Sequence, residues 1–236
     1  MQSKNLHPLL EYFFPRFCKG CGIPGVHICA KCLKKIEVCH TQKCYKCHKP
    51  SPYGMVHWGC RRGNYVTGVF SFMFYRGLGG KVAKYAKYKR QDEAIADLFY
   101  GAPFTQRLAL YDFFMKTNIN ILIPIPLHKS IMNTRGFNQS IKIGQHISSA
   151  LDIPVVMAVE KMVERGEQSK LSSRMRQKNV RGAYALNKHT MPAIEGRRVC
   201  IVDDVITTGA TLEEVSCVLM PYVKEVYGIT LLRSFE

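Results

Sequence analysis

The sequence lacks any apolar run approaching the roughly eighteen uncharged residues needed to span a bilayer, so no transmembrane segment is predicted. It also lacks the marks of an export signal. The stretch MQSKNLHPLLEYFFPRFCKG has no basic start, no continuous apolar centre and no small-residue cleavage site, which makes cytoplasm the expected location. Two phosphate-binding fingerprints are missing too: neither G-x-G-x-x-G after a strand nor G-x-x-x-x-G-K-[ST] occurs, which sets aside the dinucleotide fold and the P-loop. Acids are scarce, 17 against 34 Lys and Arg, leaving a net charge of +17. The deficit is uneven. Residues 1–63 carry eleven Lys and Arg against two acids, 64–120 eight against four, 121–191 eleven against four, and 192–236 four against seven. The positive excess therefore sits everywhere except the C-terminal quarter. A basic surface of this extent attracts polyanions, nucleic acid before anionic lipid, and solubility alone needs far less imbalance.

What is present divides the 236 residues in two. An apolar content of 47% permits a mid-sized core with a small appendage. Eight of the ten cysteines (18, 21, 29, 32, 39, 44, 47 and 60) fall in the first sixty residues, while Cys200 and Cys217 stand alone in apolar segments as expected core residues. The spacing Cys18-x2-Cys21, Cys29-x2-Cys32 lets four thiolates reach one tetrahedral ion, so these four are read as a structural zinc site without an open position for water. A second set, Cys44, Cys47 and Cys60, needs His57 or, in its place, Cys39 as fourth ligand. A disulfide framework does not suit a reducing cytoplasm, and a redox pair would need one C-x-x-C, not several. Residues 1–63 are taken as this zinc-binding domain and 64–236 as a second one, with 64–120 a connecting hood and 121–236 its core.

Strand and helix alternate in the second domain. VTGVFSFMFYR (66–76) reads as a strand or hairpin, and KVAKYAKYKRQDEAIADLFYG as a helix interrupted near Arg90. Lys84, Lys87, Lys89 and Arg90 interleave with tyrosines there, a pattern that suits an amphipathic helix with its tyrosines packed inward before it suits single-stranded DNA. INILIPIP, PVVMAV, VCIVDD and KEVYGITLLRSF read as strands buried on both faces, with helices between them. The polar stretch EKMVERGEQSKLSSRMRQKNVRGAY suits a mobile loop. Alternation of this kind argues an α/β fold with a mostly parallel sheet, whose ligands sit at the C-terminal ends of the strands.

Asp203 and Asp204 fall at such an end. The segment ITTGATLEE behind them offers a tight turn at Gly209, the hydroxyls of Thr207, Thr208 and Thr211, and the free N–H groups of a helix start at Ala210, a cradle for a phosphate. Two carboxylates beside it would repel a further phosphate but accept hydrogen bonds from vicinal hydroxyls. A ribose 5-phosphate site follows, with Mg2+ nearby to relieve the repulsion between the acids. A magnesium-dependent phosphatase would leave the threonines unexplained, and a helix cap would need only one such residue.

VCIVDDVITTGAT resembles the phosphoribosyl diphosphate (PRPP) binding motif of type I phosphoribosyltransferases. Together with the cysteine-rich head, IPIPL, RGFNQS and a Q-x-x-L segment carrying Arg and Asn, the whole chain resembles the ComF family and its GntX-like relatives. The resemblance implies a double zinc ribbon followed by a phosphoribosyltransferase-type, Rossmann-like parallel sheet with helices on both faces. It implies Asp203 and Asp204 as catalytic residues holding the ribose hydroxyls, residues 207–211 holding the 5′-phosphate, and Arg135 beside the pyrophosphate. Gln168, Arg174 and Asn179 would belong to a loop closing over the substrate. It further implies a part in natural transformation, binding incoming single-stranded DNA with other uptake proteins at the inner membrane, where the chain would be peripheral. The alternatives are an active phosphoribosyltransferase of salvage or nucleotide metabolism with no DNA role, and a nucleotide-binding regulator. No acceptor-recognition segment stands out in the sequence.

Overall fold

The computed structural model describes residues 15–88, 93–163 and 182–235. Its centre is a four-stranded, all-parallel sheet of β1 (Val66–Phe74), β2 (Ile121–Pro124), β5 (Arg198–Ile206) and β6 (Glu225–Arg233), in the order β1-β6-β5-β2. Each strand is a run of apolar residues because both faces are covered. In β5, Cys200 and Val202 point into one core, and Val199 and Ile201 into the other. Helices α2 (Gly77–Tyr88), α3 (Glu93–Tyr100), α4 (Phe104–Thr117) and α6 (Gln139–Leu151) supply buried residues to the first core, including Val82, Leu98, Phe113 and Ile143. Helix α8 (Ala210–Leu219) covers the other face with Leu212, Val215 and Leu219. Between these lie α5 (Lys129–Arg135) and a two-stranded antiparallel pair, β3 (Val159–Lys161) with β4 (Tyr184–Leu186), while Met191–Ile194 forms a single turn, α7.

Two expected elements are shorter than the sequence suggests. PVVMAV contributes only one parallel bridge, Leu122 to Val155, because it lies beyond the last full strand and Val155, Val156 and Met157 are half-buried or exposed. AKCLKKIEV, which reads as a helix opened by the second cysteine pair, holds only one turn, α1 (Ala30–Leu33).

The cysteine-rich head wraps the sheet. Cys18, Ile28, Cys32 and Ile36 join the α2 side, whereas Cys44, Tyr45 and Val56 join the α8 side. Between these two contacts, the head covers the free edge of β1: the N–H of Cys39 donates to Phe72 O at 2.8 Å, that of Phe74 to Glu37 O at 2.9 Å, and that of Val56 to Thr67 O at 2.8 Å. An unpaired edge strand invites association, and this cover removes it. Gly68 permits the approach, since a Cβ there would lie 2.8 Å from Met55 Sδ. Gln42 is buried with its amide fully used: Nε2 donates to Cys39 O and Ser71 O, and Oε1 accepts from the Ser71 N–H. Arg233, also buried, donates to Thr41 O at 3.0 Å.

Candidate functional site

β5 runs further than the apolar segment that predicts it. It continues through the two acids to Ile206, and Asp203 still pairs with Thr230 of β6. The carboxylates therefore stand on a central strand, held by its ladder. Asp203 Oδ1 accepts from the Asp204 N–H at 2.8 Å and from the Ser140 hydroxyl at 3.3 Å. Ser140 is set by α6, whose cap Asn138 accepts from the Ser140 N–H at 2.9 Å and donates to Ile125 O at 2.9 Å. RGFNQS thus links the end of β2 to the acid pair, a role its sequence does not declare.

Asp204 meets Lys87 of α2 at 2.5 Å, with side-chain exposures of 13% and 25%. Burial and the adjacent Asp204 charge push Asp203 up to about 7, against the opposing pull of Lys87, the Asp204 N–H and Ser140. Burial would lower the Lys87 ammonium, but Asp204 outweighs it, with Asp203 adding and Arg135 opposing, and the net shift is upward. Lys161 on β3 is moved down by burial, with Asp203 opposing and Arg135 assisting. Lys87 of α2 and Lys161 of β3 are thereby coupled to the acid pair, and Arg135 of α5 acts on both lysines. Arg135 also lines a cavity of about 350 Å³ with Gly136, Phe137, Asn138 and Lys142.

After β5 the chain bends through Thr207 and Thr208 to Gly209, which caps α8 at φ +79°. The Ala210 N–H donates to Thr208 Oγ1 at 3.4 Å. Thr207, Thr208, Ala210 and Thr211 are half-buried and share this turn and helix start, whose first N–H groups have no partner within the helix. Gly209 is required twice over. Its φ disfavours other residues, and a Cβ would lie 2.5 Å from two ring carbons of Tyr45. Tyr45 belongs to the second cysteine knuckle. Its hydroxyl donates to Asn64 Oδ1 at 2.6 Å and reaches Glu213 of α8 at 3.3 Å, and the neighbouring Lys46 pairs with the same Glu213.

Both expected ligand sets are assembled. Cys18, Cys21, Cys29 and Cys32 form one group and Cys44, Cys47, His57 and Cys60 another, with the ligand atoms of each within 4.8 Å of one another, so each could hold a metal ion. His57 turns Nδ1 toward Cys47 Sγ at 3.2 Å, while Nε2 lies 3.2 Å from Pro50 O, the outer partner that orients a metal-bound imidazole. Cys39 is not in either group. It is buried beside Arg233, and burial raises its thiol to about 12 against the pull of that guanidinium. Burial opposes ionisation of Cys18 and Cys44, yet N–H groups, led by that of Cys29 for Cys18 and that of Cys47 for Cys44, bring the thiols down to about 6 and about 7.

The other sequence candidates distribute as follows. Lys84 is exposed, whereas Lys87 turns to the acid pair. Tyr85 packs inward, under Lys19 Nζ at 3.9 Å and beside His27. Lys89, Arg90, Gln168, Arg174 and Asn179 lie outside the described residues. The chain resumes at Gly182, whose N–H donates to Glu214 on α8. Among the described residues no helix is long and apolar enough to cross a membrane.

A family model described as "Phosphoribosyl transferase domain" matches residues 138–226, a stretch that includes Asn138, Ser140, the acid pair and the turn. Competence protein F of Haemophilus influenzae is 31% identical over 216 residues, covering 86% of this chain and 83% of its own length. DNA utilization protein YhgH of Salmonella typhimurium is 25% identical over 213 residues, covering 86% and 77%. The YhgH protein of Escherichia coli K12 is 35% identical over 100 residues, 42% of each chain.

Proposed function

The chain belongs to the ComF family, and from that premise we propose that it acts in DNA uptake during natural transformation, binding single-stranded DNA and carrying a PRPP site. The observation supporting the site is the juxtaposition on one strand end of Asp203 and Asp204 with the Thr207–Thr211 turn. The acids accept from the 2′- and 3′-hydroxyls of the ribose. The turn supplies N–H groups and hydroxyls to the 5′-phosphate at the positive end of α8. Lys161, which feels the Asp203 charge, and Arg135, which feels Lys161, face the pyrophosphate. Lys87 balances Asp204 in the free protein and yields to the ligand's hydroxyls; Asp203 and Asp204 are the residues that would hold Mg2+, which would supply positive charge beside the pyrophosphate.

The two cysteine groups hold structural zinc. Thiolate and imidazole donors in a closed set of four fit that ion, and the Nε2 contact of His57 supplies its outer support. DNA binding is supported by the net charge of +17, concentrated outside the C-terminal quarter. Partners of the chain are other uptake proteins at the cytoplasmic face of the inner membrane.

Calorimetric titration with PRPP and Mg2+ tests the site. Wild type binds, and Asp203→Asn with Asp204→Asn abolishes the heat while leaving oligonucleotide affinity unchanged. Equal heats in both proteins would refute the assignment. A second reading, an active transferase without a DNA role, is favoured by the family-model match over residues 138–226, which take in the acid pair and the turn. Release of pyrophosphate in the presence of an acceptor, without any oligonucleotide binding, would select it.

A further inference from the structure

The chain has one tryptophan, and it is on the outside: Trp58 is 87% exposed. A tryptophan offers a very large apolar area for burial, so leaving it in water forgoes a gain that two adjoining cores were available to take. The residue is also held there. It opens the turn Trp58–Cys60, between His57 and Cys60, two of the four donors of the second cysteine group. The Cys60 N–H donates to His57 O at 2.8 Å and that of Arg61 to Trp58 O at 3.2 Å, so the backbone beneath the ring is closed into a tight loop. Its setting is of one sign. Residues 42–65 contain Lys43, Lys46, Lys49, Arg61 and Arg62 and no acid. Lys46 is engaged by Glu213, while Lys49, Arg61 and Arg62 are exposed, as is Tyr65.

We propose that the second knuckle is a single-strand nucleic-acid contact in which a base stacks on Trp58 and the phosphates on either side follow Lys49, Arg61 and Arg62. The proposal rests on the DNA reading above and adds a place and a mode to it. A flat ring on a closed backbone turn recognises the face of an unpaired base, whereas a duplex presents base edges and phosphates. A protein anchor of this size would sit amid apolar neighbours in a desolvated patch, and here the neighbours are hydrated cations. Tyr45, in the same knuckle, rests on Gly209, so the strand would be held on the rigid block that also carries the Thr207–Thr211 turn.

Because Trp58 is the sole indole, intrinsic fluorescence reports on it alone. The metal-loaded full chain is titrated with a short end-labelled oligothymidylate, with an abasic strand of equal length and with duplex. Label anisotropy gives binding and tryptophan emission gives stacking. Thymidylate binding quenches the emission, the abasic strand binds more weakly without quenching, and duplex does not quench. Trp58→Ala loses roughly tenfold in thymidylate affinity and Trp58→Phe retains most of it, as expected for one stacked base. Both variants keep the wild-type melting temperature, since the side chain is exposed. Thymidylate that binds without quenching, and equally well to Trp58→Ala, overturns this contact while leaving DNA binding in place. Absence of any anisotropy change for wild type at low salt overturns the DNA reading and this proposal with it.

Discussion

At Asp203, burial and the Asp204 charge lift the carboxyl to about 7, well above the usual carboxylate range near 4. Between those two values the folded chain holds a proton that the unfolded chain has released. Stability therefore falls as pH rises from about 4 to about 7, the opposite of the usual salt-bridged carboxylate. Asp204, Lys87 and Ser140 act on this group, which in turn acts on Lys87, Lys161 and Tyr184, and Lys87 limits the loss without cancelling it. Asp203→Asn keeps the acceptor for Ser140 and the Asp204 N–H but cannot ionise. Its melting temperature should exceed that of wild type at pH 8, by the equivalent of a few kcal/mol, and converge with it below about pH 4. Identical curves at both pH values would show that the acid carries no such cost. A destabilising, otherwise unneeded charge on a central strand is a mark of function, and the sequence already pointed to it: two acids after VCIV have no structural use. The sequence did not reveal their counter-charges. Lys87 lies on a helix read as amphipathic, and Lys161 on a short strand beside residues outside the described set, so only the fold brings them together.

Among the elements, the second knuckle and the turn before α8 make the contact with the most consequence. Tyr45 fills the space where Gly209 would carry a Cβ, and Tyr45 and Lys46 both hold Glu213. A metal held by Cys44, Cys47, His57 and Cys60 would brace this short segment beneath Tyr45, and its removal is expected to release that support. Tyr45→Ala, or chelation, should loosen the turn and weaken ribose 5-phosphate binding by roughly tenfold, about 1.4 kcal/mol. Tyr45→Phe keeps the ring and should lose far less. Unchanged affinity in Tyr45→Ala would show that the turn stands alone. The strands were legible because residues buried on both faces form unbroken apolar runs, as in β5 and β6. PVVMAV has the same composition and misleads, since an apolar run does not say whether a neighbour covers it. The cysteine spacing gave both ligand groups, while the choice of His57 over Cys39 depended on Arg233 and Pro50, which are distant in sequence from at least one of the two.

For the whole molecule, the head and the sheet are joined across an edge and both faces, so the metal groups, the acid pair and the basic surface belong to one frame. The sequence foresaw the alternating α/β order. It gave no sign that one knuckle supports the turn before α8, because Tyr45 and Gly209 are far apart in the chain and their contact leaves no local pattern. Nor did composition single out Trp58, whose exposure is a property of the packed molecule. If the acid pair and the turn grip opposite ends of one ribose 5-phosphate, crystals soaked with PRPP and Mg2+ will show the 5′-phosphate against Thr207–Thr211 and the ribose hydroxyls on Asp203 and Asp204, with Lys87 displaced from Asp204. Density for the ligand elsewhere, or a Lys87–Asp204 pair unchanged beneath an empty turn, would overturn that assignment.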